Sequence, residues 1–215
     1  LTVLRKQLNA SVSNIGESNV MRKEYGTANP TATSITYTGF VYNETIESLQ
    51  LQDPNFADTY VVPQLQYISA GNPITELTGI GTYMIRLSSG GMKNYVIPQT
   101  SVSLIILPVA PIIELEGIAT SYRAQALGYP FTYEDEGQTL TKQALIKPIR
   151  SDATQPSSSG NVVYQYRYEE QPWTIDRPRR AGTYSTRVIY TAAEGDNYKS
   201  TTKDFVGNII ISKVN

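Results

Sequence analysis

The chain has 215 residues, with 18 basic and 19 acidic side chains for a formal net charge of −1, and it contains no cysteine and no histidine. Disulfide frameworks, Cys- or His-ligated zinc, haem and iron–sulfur sites, and hydrolytic systems built on an imidazole or thiolate are therefore excluded. The balanced charge offers no global field for nucleic acid or an acidic membrane surface, and no apolar run approaches the roughly 20 residues that span a bilayer.

The length suits two domains, each with its own core. The chain begins at Leu1, and Arg5 and Lys6 precede Gln7 and Asn9, not an apolar signal segment. An excised piece of a longer protein is expected, with any export signal elsewhere. Threonine and tyrosine are abundant, tyrosine alone occurring 16 times, and both suit a half-buried pleated surface. The first period-two row is Leu8, Ala10 and Val12, alternating with Asn9, Ser11 and Ser13. Ile35 and Tyr37 follow, between Ser34, Thr36 and Thr38. Glu44 to Leu49 is the one helical candidate, a turn or two long, with Asn43 as cap and Ile46 and Leu49 on one face. Tyr83, Ile85 and Leu87, then Val102, Leu104 and Ile106, complete the rows of the first half. In the second half Tyr164, Tyr166 and Tyr168 share a face opposite Gln165 and Arg167, and Tyr184, Thr186, Val188 and Tyr190 form another row. Turn clusters fall at Gly26 to Pro30, Asp53 to Asn55, Gly71 to Pro73, Gly90-Gly91, Ser157 to Asn161 and Gly195 to Asn197. The pattern predicts an all-β fold of antiparallel sandwiches.

The two halves echo each other. Gly81-Thr82-Tyr83 matches Gly182-Thr183-Tyr184, Asn94-Tyr95 matches Asn197-Tyr198, and Leu104-Ile105-Ile106 matches Ile209-Ile210-Ile211. The spacing is roughly 100 residues, the size of one immunoglobulin-like sandwich. Between the halves, Leu107-Pro108-Val109-Ala110-Pro111 forms a stiff linker, because proline fixes φ and restricts its predecessor. Two tandem immunoglobulin-like modules are expected, residues 1–107 and 108–215, with β-grasp-like modules as the alternative. The repeated residues suit fold maintenance: each glycine opens a strand after a tight turn, and the following tyrosine points inward with its hydroxyl near a backbone partner.

These residues resemble the tandem MBG-type bacterial immunoglobulin-like repeats of large cell-surface adhesins. The likeness rests on Leu1-Thr2-Val3, Tyr25-Gly26, Ala28-Asn29-Pro30, Gly39-Phe40-Val41 and Glu44-Thr45, then on Gly79 to Tyr83, Ser89-Gly90-Gly91, Asn94-Tyr95 and Leu104 to Ile106. It covers residues 1–107 well. The second half keeps Ala181 to Tyr184, Gly195 to Tyr198 and Ile209 to Lys213, but its opening departs: Ser121-Tyr122-Arg123 lacks the glycine after tyrosine, and no Asn-Pro follows. A related but distinct subtype is expected there. The resemblance implies a non-catalytic stalk segment of a secreted, extracellular protein attached to the cell surface or wall. Its partners would be adjacent repeats of the same polypeptide and host glycan or matrix protein, with no nucleic acid, no membrane insertion in this segment and no cofactor.

Against that background the chemical candidates are few. Trp173, the tyrosines Tyr164, Tyr166 and Tyr168, and the arginines Arg177, Arg179 and Arg180 are the best ligand-surface candidates, since an aromatic platform with guanidinium groups suits a sugar ring or an anionic glycan. A ligand-binding adhesin region is thus one alternative, and a carbohydrate-active accessory module another. Glu134-Asp135-Glu136 is the densest acidic run, and a glycosidase would need two carboxylates facing each other across a sugar. That run, or Asp53 with Asp58, is also the place for a calcium ion, though neither has the spacing of a loop site. Gly79-Ile80-Gly81 lacks the lysine and helix of a phosphate loop. Lys6 is the candidate amine for an intramolecular Lys–Asn or Lys–Asp bond, a chemistry that needs a buried, neutral amine. Asn9-Ala10-Ser11 and Asn43-Glu44-Thr45 match glycosylation acceptors, without meaning in a bacterial protein.

Overall fold

The computed structural model describes residues 4–32, 34–115, 121–123, 144–176, 178 and 182–212. The chain divides into two compact units, Leu1–Leu107 and Pro108–Asn215. Both are built mainly of strands, as period-two patterning requires.

The first unit opens with β1 (Lys6–Gln7), β2 (Asn9–Ser13), β3 (Val20–Glu24) and β4 (Ser34–Thr38). Two helices follow, α1 (Ile46–Gln52) and α2 (Phe56–Thr59). Then come β5 (Leu65–Gln66), β6 (Ile68–Ser69), β7 (Asn72–Pro73), β8 (Gly81–Leu87), β9 (Gly90–Met92), β10 (Tyr95–Ile97) and β11 (Thr100–Leu107). A six-stranded sheet has the order β4-β2-β3-β11-β8-β5, a three-stranded sheet the order β1-β10-β9, and β6 pairs with β7. The alternating rows turn one side inward. Leu8, Ala10, Val12, Ile85, Leu87, Val102, Leu104 and Ile106 are buried, while Asn9, Thr82 and Arg86 face water. Met21, Tyr25, Phe56, Ile74, Met92, Tyr95 and Ile97 complete the core. Each fully buried aliphatic side chain there contributes about 1.5–3 kcal/mol.

Antiparallel pairing dominates, joined by three parallel pairs. β1 runs parallel to β10, β2 to β3, and β3 to β11, the last over five residue pairs from Val20↔Ser103 to Glu24↔Leu107. β3 alternates in burial, with Met21 and Lys23 inward, but Arg22, Lys23 and Glu24 put three charges into its five residues and hide that alternation in the sequence. Thr45 caps α1, not Asn43: its hydroxyl accepts from Ser48 N–H, and Ser48 Oγ accepts from Thr45 N–H. Asn43 and Tyr42 instead take left-handed turn conformations, with φ of 58° and 56°. Gly90-Gly91 lies within β9 and is not a turn. A Cβ at Gly90 would sit 2.4 Å from Val61 O, and one at Gly91 2.9 Å from Tyr95 O, so the backbones approach too closely for any side chain. Among the described residues of this unit no sheet wraps on a long helix, since α1 has seven residues, none buried, and α2 has four.

The second unit contains β12 (Ile112–Leu115), β13 (Ser121–Arg123), β14 (Ala144–Lys147), β15 (Asn161–Tyr168), β16 (Gly182–Thr191) and β17 (Thr201–Ser212). Its four-stranded sheet has the order β13-β17-β16-β15, and β12 pairs with β14. That order reproduces β3-β11-β8-β5, with the same parallel and antiparallel senses. The register recurs as well. Gly81↔Ile106, Thr82↔Ile105 and Tyr83↔Leu104 reappear as Gly182↔Ile211, Thr183↔Ile210 and Tyr184↔Ile209. Lys6 N–H donates to Asn94 O at 2.9 Å, and Val109 N–H donates to Asn197 O at 3.1 Å. Gly81 and Gly182 share φ values of 146° and 154°, which side-chain-bearing residues rarely adopt. Buried residues include Ile113, Tyr166, Val188, Tyr190, Tyr198 and Ile209. β17 departs from β11 by a bulge opposite Ser185, where Gly207 N–H donates to Ser185 Oγ at 3.0 Å.

Candidate functional site

Strand β15 sorts the expected ligand residues onto opposite faces. Tyr164 Oη accepts from Ala144 N–H at 2.6 Å, Tyr166 is buried, and Tyr168 packs on Tyr184 with ring centroids 5.3 Å apart. Arg167 points to the other face. Tyr166 and Thr174 exchange backbone hydrogen bonds of 2.7 and 2.9 Å, which folds the intervening turn back and carries Trp173 to the arginine side. The Trp173 ring lies 4.8 Å from Arg167 Cζ and 4.2 Å from Arg187 Cζ. Arg187 makes paired bonds of 2.7 and 2.9 Å to Asp204, and Arg167 reaches Glu170 at 3.4 Å. The Asp204 carboxyl is held below its ordinary pKa by the Arg187 hydrogen bond, and Arg187 is raised by the same contact. Trp173 and the tyrosine row are therefore separate surfaces, because successive strand residues alternate faces. Arg177, Arg179 and Arg180 lie outside the described residues. Sequence reasoning missed Arg167 and Arg187 as the partners of Trp173. Cross-strand pairing of Gln165 with Arg187 was the signal, and it required the register. Cation–π contacts at exposed sites contribute about 0.5–1 kcal/mol each.

The acidic and lysine candidates resolve differently. Glu134, Asp135 and Glu136 lie outside the described residues. Asp53 Oδ1 accepts from Asn55 N–H at 3.0 Å, and its other oxygen is 3.9 Å from Lys93 Nζ. Among the described residues, no group of three or more acidic side chains stands together to hold a metal ion. Lys6 is exposed on β1 and lacks the burial that amide-forming chemistry needs. Among the described residues, Lys23 is a buried lysine, only 6% exposed. Its three N–H groups meet three oxygens: Thr27 O at 3.1 Å, Asn29 Oδ1 at 3.0 Å and Thr75 O at 2.8 Å. Burial lowers its pKa, and the charge of Glu76 opposes that shift. Gly26 N–H donates to Glu76 O at 3.0 Å, and Asn29 Nδ2 donates to Ile74 O at 2.8 Å. The Tyr25–Pro30 turn is thereby pinned to residues 74–76. A fully satisfied ammonium of this kind holds loops together and offers no free nucleophile.

A hollow of about 140 Å³ lies beside α1 and α2, lined by Glu44, Asp53, Phe56, Lys93 and Tyr95 among others. Tyr95 Oη donates to the Glu44 carboxylate and accepts from Val41 N–H at 3.2 Å. Burial and Glu44 raise the phenol pKa. Both acids of this hollow thus serve as acceptors within the fold.

Residues 18–104 match the family model described as MBG domain (YGX type). The match falls within the first unit and includes the triplet Tyr25-Gly26-Thr27 and the Lys23 cage. No curated protein and no solved structure matches the chain.

Proposed function

We propose that this chain is a non-catalytic stalk segment of a large bacterial cell-surface adhesin, displayed outside the cell, with each unit one module of a tandem series. The MBG domain is a non-catalytic type of module from repeat regions of surface proteins, and it occupies the first unit. The observation that carries the proposal is the recurrence, in the second unit, of the strand order and register of the first. The chemistry-bearing side chains support it too, since Lys23, Tyr95 and Glu44 are committed to internal hydrogen bonds. The natural partners are neighbouring repeats of the same polypeptide, and no step of this role calls for a cofactor.

Ligand recognition is the second possibility, favoured by the partly exposed Trp173 flanked by Arg167 and Arg187. Host glycan or matrix protein is the matching partner class. A glycan array and a mucin-binding assay, run on the wild-type chain and on Trp173→Ala, decide between the two. The stalk role predicts no specific binding by either protein. Specific binding that Trp173→Ala abolishes replaces it with the adhesin-tip role.

A further inference from the structure

We infer that each unit carries tensile load along the chain, through terminal strands arranged in shear. In the first unit the polypeptide advances in one direction from Lys6 to Glu24. β1 passes β10 in parallel and leads through Leu8 into β2, β2 is parallel to β3, and β3 is parallel to β11. β11 ends at Leu107, the last residue of the unit, and points the same way. A pull on the two ends therefore draws the opening strands backward and the final strand forward, each along its own axis. Ladder hydrogen bonds run across that axis. The two β1–β10 pairs and the five β3–β11 pairs, which join the opening strands to the closing ones, are then loaded along their ladders together. Strands pulled apart sideways would instead lose their bonds one at a time.

The points where force arrives are anchored. Lys6 N–H and Leu8 N–H donate to Asn94 O and Val96 O, each at 2.9 Å. The Lys23 ammonium ties β3 to Thr75. The second unit repeats the arrangement. Val109 pairs in parallel with Tyr198, with Lys199 N–H donating to Val109 O at 2.9 Å, and β13 runs parallel to β17 from Ser121↔Ile210 to Arg123↔Ser212. This inference depends on topology alone and survives whatever the chain proves to bind.

Single-molecule force spectroscopy tests it. The native chain has no cysteine, so cysteines added beyond residues 1 and 215 are unique handles. The comparison geometry uses Thr82→Cys with Leu107→Cys, both exposed, which separates β8 and β11 sideways at the end where Gly81 faces Ile106. Forced unfolding reports the unfolding barrier along the pulled direction. End-to-end pulling is expected to need several-fold more force than the sideways pair. An end-to-end force equal to or below the sideways force overturns the inference. If the Thr82 variant fails to fold, Arg86→Cys with Ser101→Cys, both exposed and directly opposite each other in the β8–β11 ladder, supplies a second sideways geometry.

Discussion

Lys23 shows how a single charged residue can be a core residue. Its ammonium is affordable inside because every proton has an oxygen partner, so removing it leaves Thr27 O, Asn29 Oδ1 and Thr75 O without their donor. Lys23→Met is expected to cost about 1–3 kcal/mol, the usual penalty for orphaned buried polar groups, read as a lower urea midpoint by circular dichroism. Gly182 makes a second residue-scale case. Its φ of 154° disfavours side chains, and a Cβ there would lie 2.5 Å from Tyr168 Cε2. Gly182→Ala is expected to destabilise the second unit by about 1–3 kcal/mol. Trp173, the only tryptophan, reports that transition by fluorescence. The glycine was legible in the sequence because it recurs before Thr-Tyr in both halves. The lysine was not, because nothing local distinguishes an internal ammonium from a solvated one until Thr75, far along the chain, is brought beside it.

At the scale of elements, alternation located most of the long strands. Rows such as Leu8-Ala10-Val12 and Val102-Leu104-Ile106 are buried as their period demands. What alternation could not convey was direction or company. The charges of β3 concealed a strand that pairs with β11, and the Gly90-Gly91 pair imitated a turn where two backbones meet. Trp173 and the tyrosines of β15 are close in sequence yet lie on different faces, because the turn closed by Tyr166 and Thr174 decides where the tryptophan lands. The helix α1 was found, with its cap misplaced. It buries no residue, so packing does little to hold it and the Thr45–Ser48 capping box matters more. Thr45→Ala is expected to cost about 0.5–2 kcal/mol and to speed amide exchange across residues 46–52.

For the whole molecule, the absence of histidine leaves no imidazole to titrate between pH 5 and 8. Stability should be nearly flat across that window. Burial pushes Tyr67 and Tyr190 up to about 12, and Tyr37 rises by burial and its hydrogen bond with Tyr60. The folded state keeps these protons after the unfolded chain, with phenols near 10, has lost them. The contribution is complete below about pH 10 and disappears as pH rises through the folded values. The lowered pKa of Lys23 acts in the opposite sense, favouring folding as pH approaches the ordinary lysine value, but it is one group against these three tyrosines and Tyr95, which is raised as well. Urea midpoints are therefore expected to fall above about pH 10. The claim beneath all of this is that one sheet plan occurs twice in the chain. Nuclear magnetic resonance on residues 108–215 expressed alone tests it most directly. A folded domain with cross-strand contacts between Gly182 and Ile211 and between Tyr184 and Ile209, flanked by a parallel contact of Ser121 with Ile210, is expected. An unfolded segment, or strands paired in another order, contradicts it.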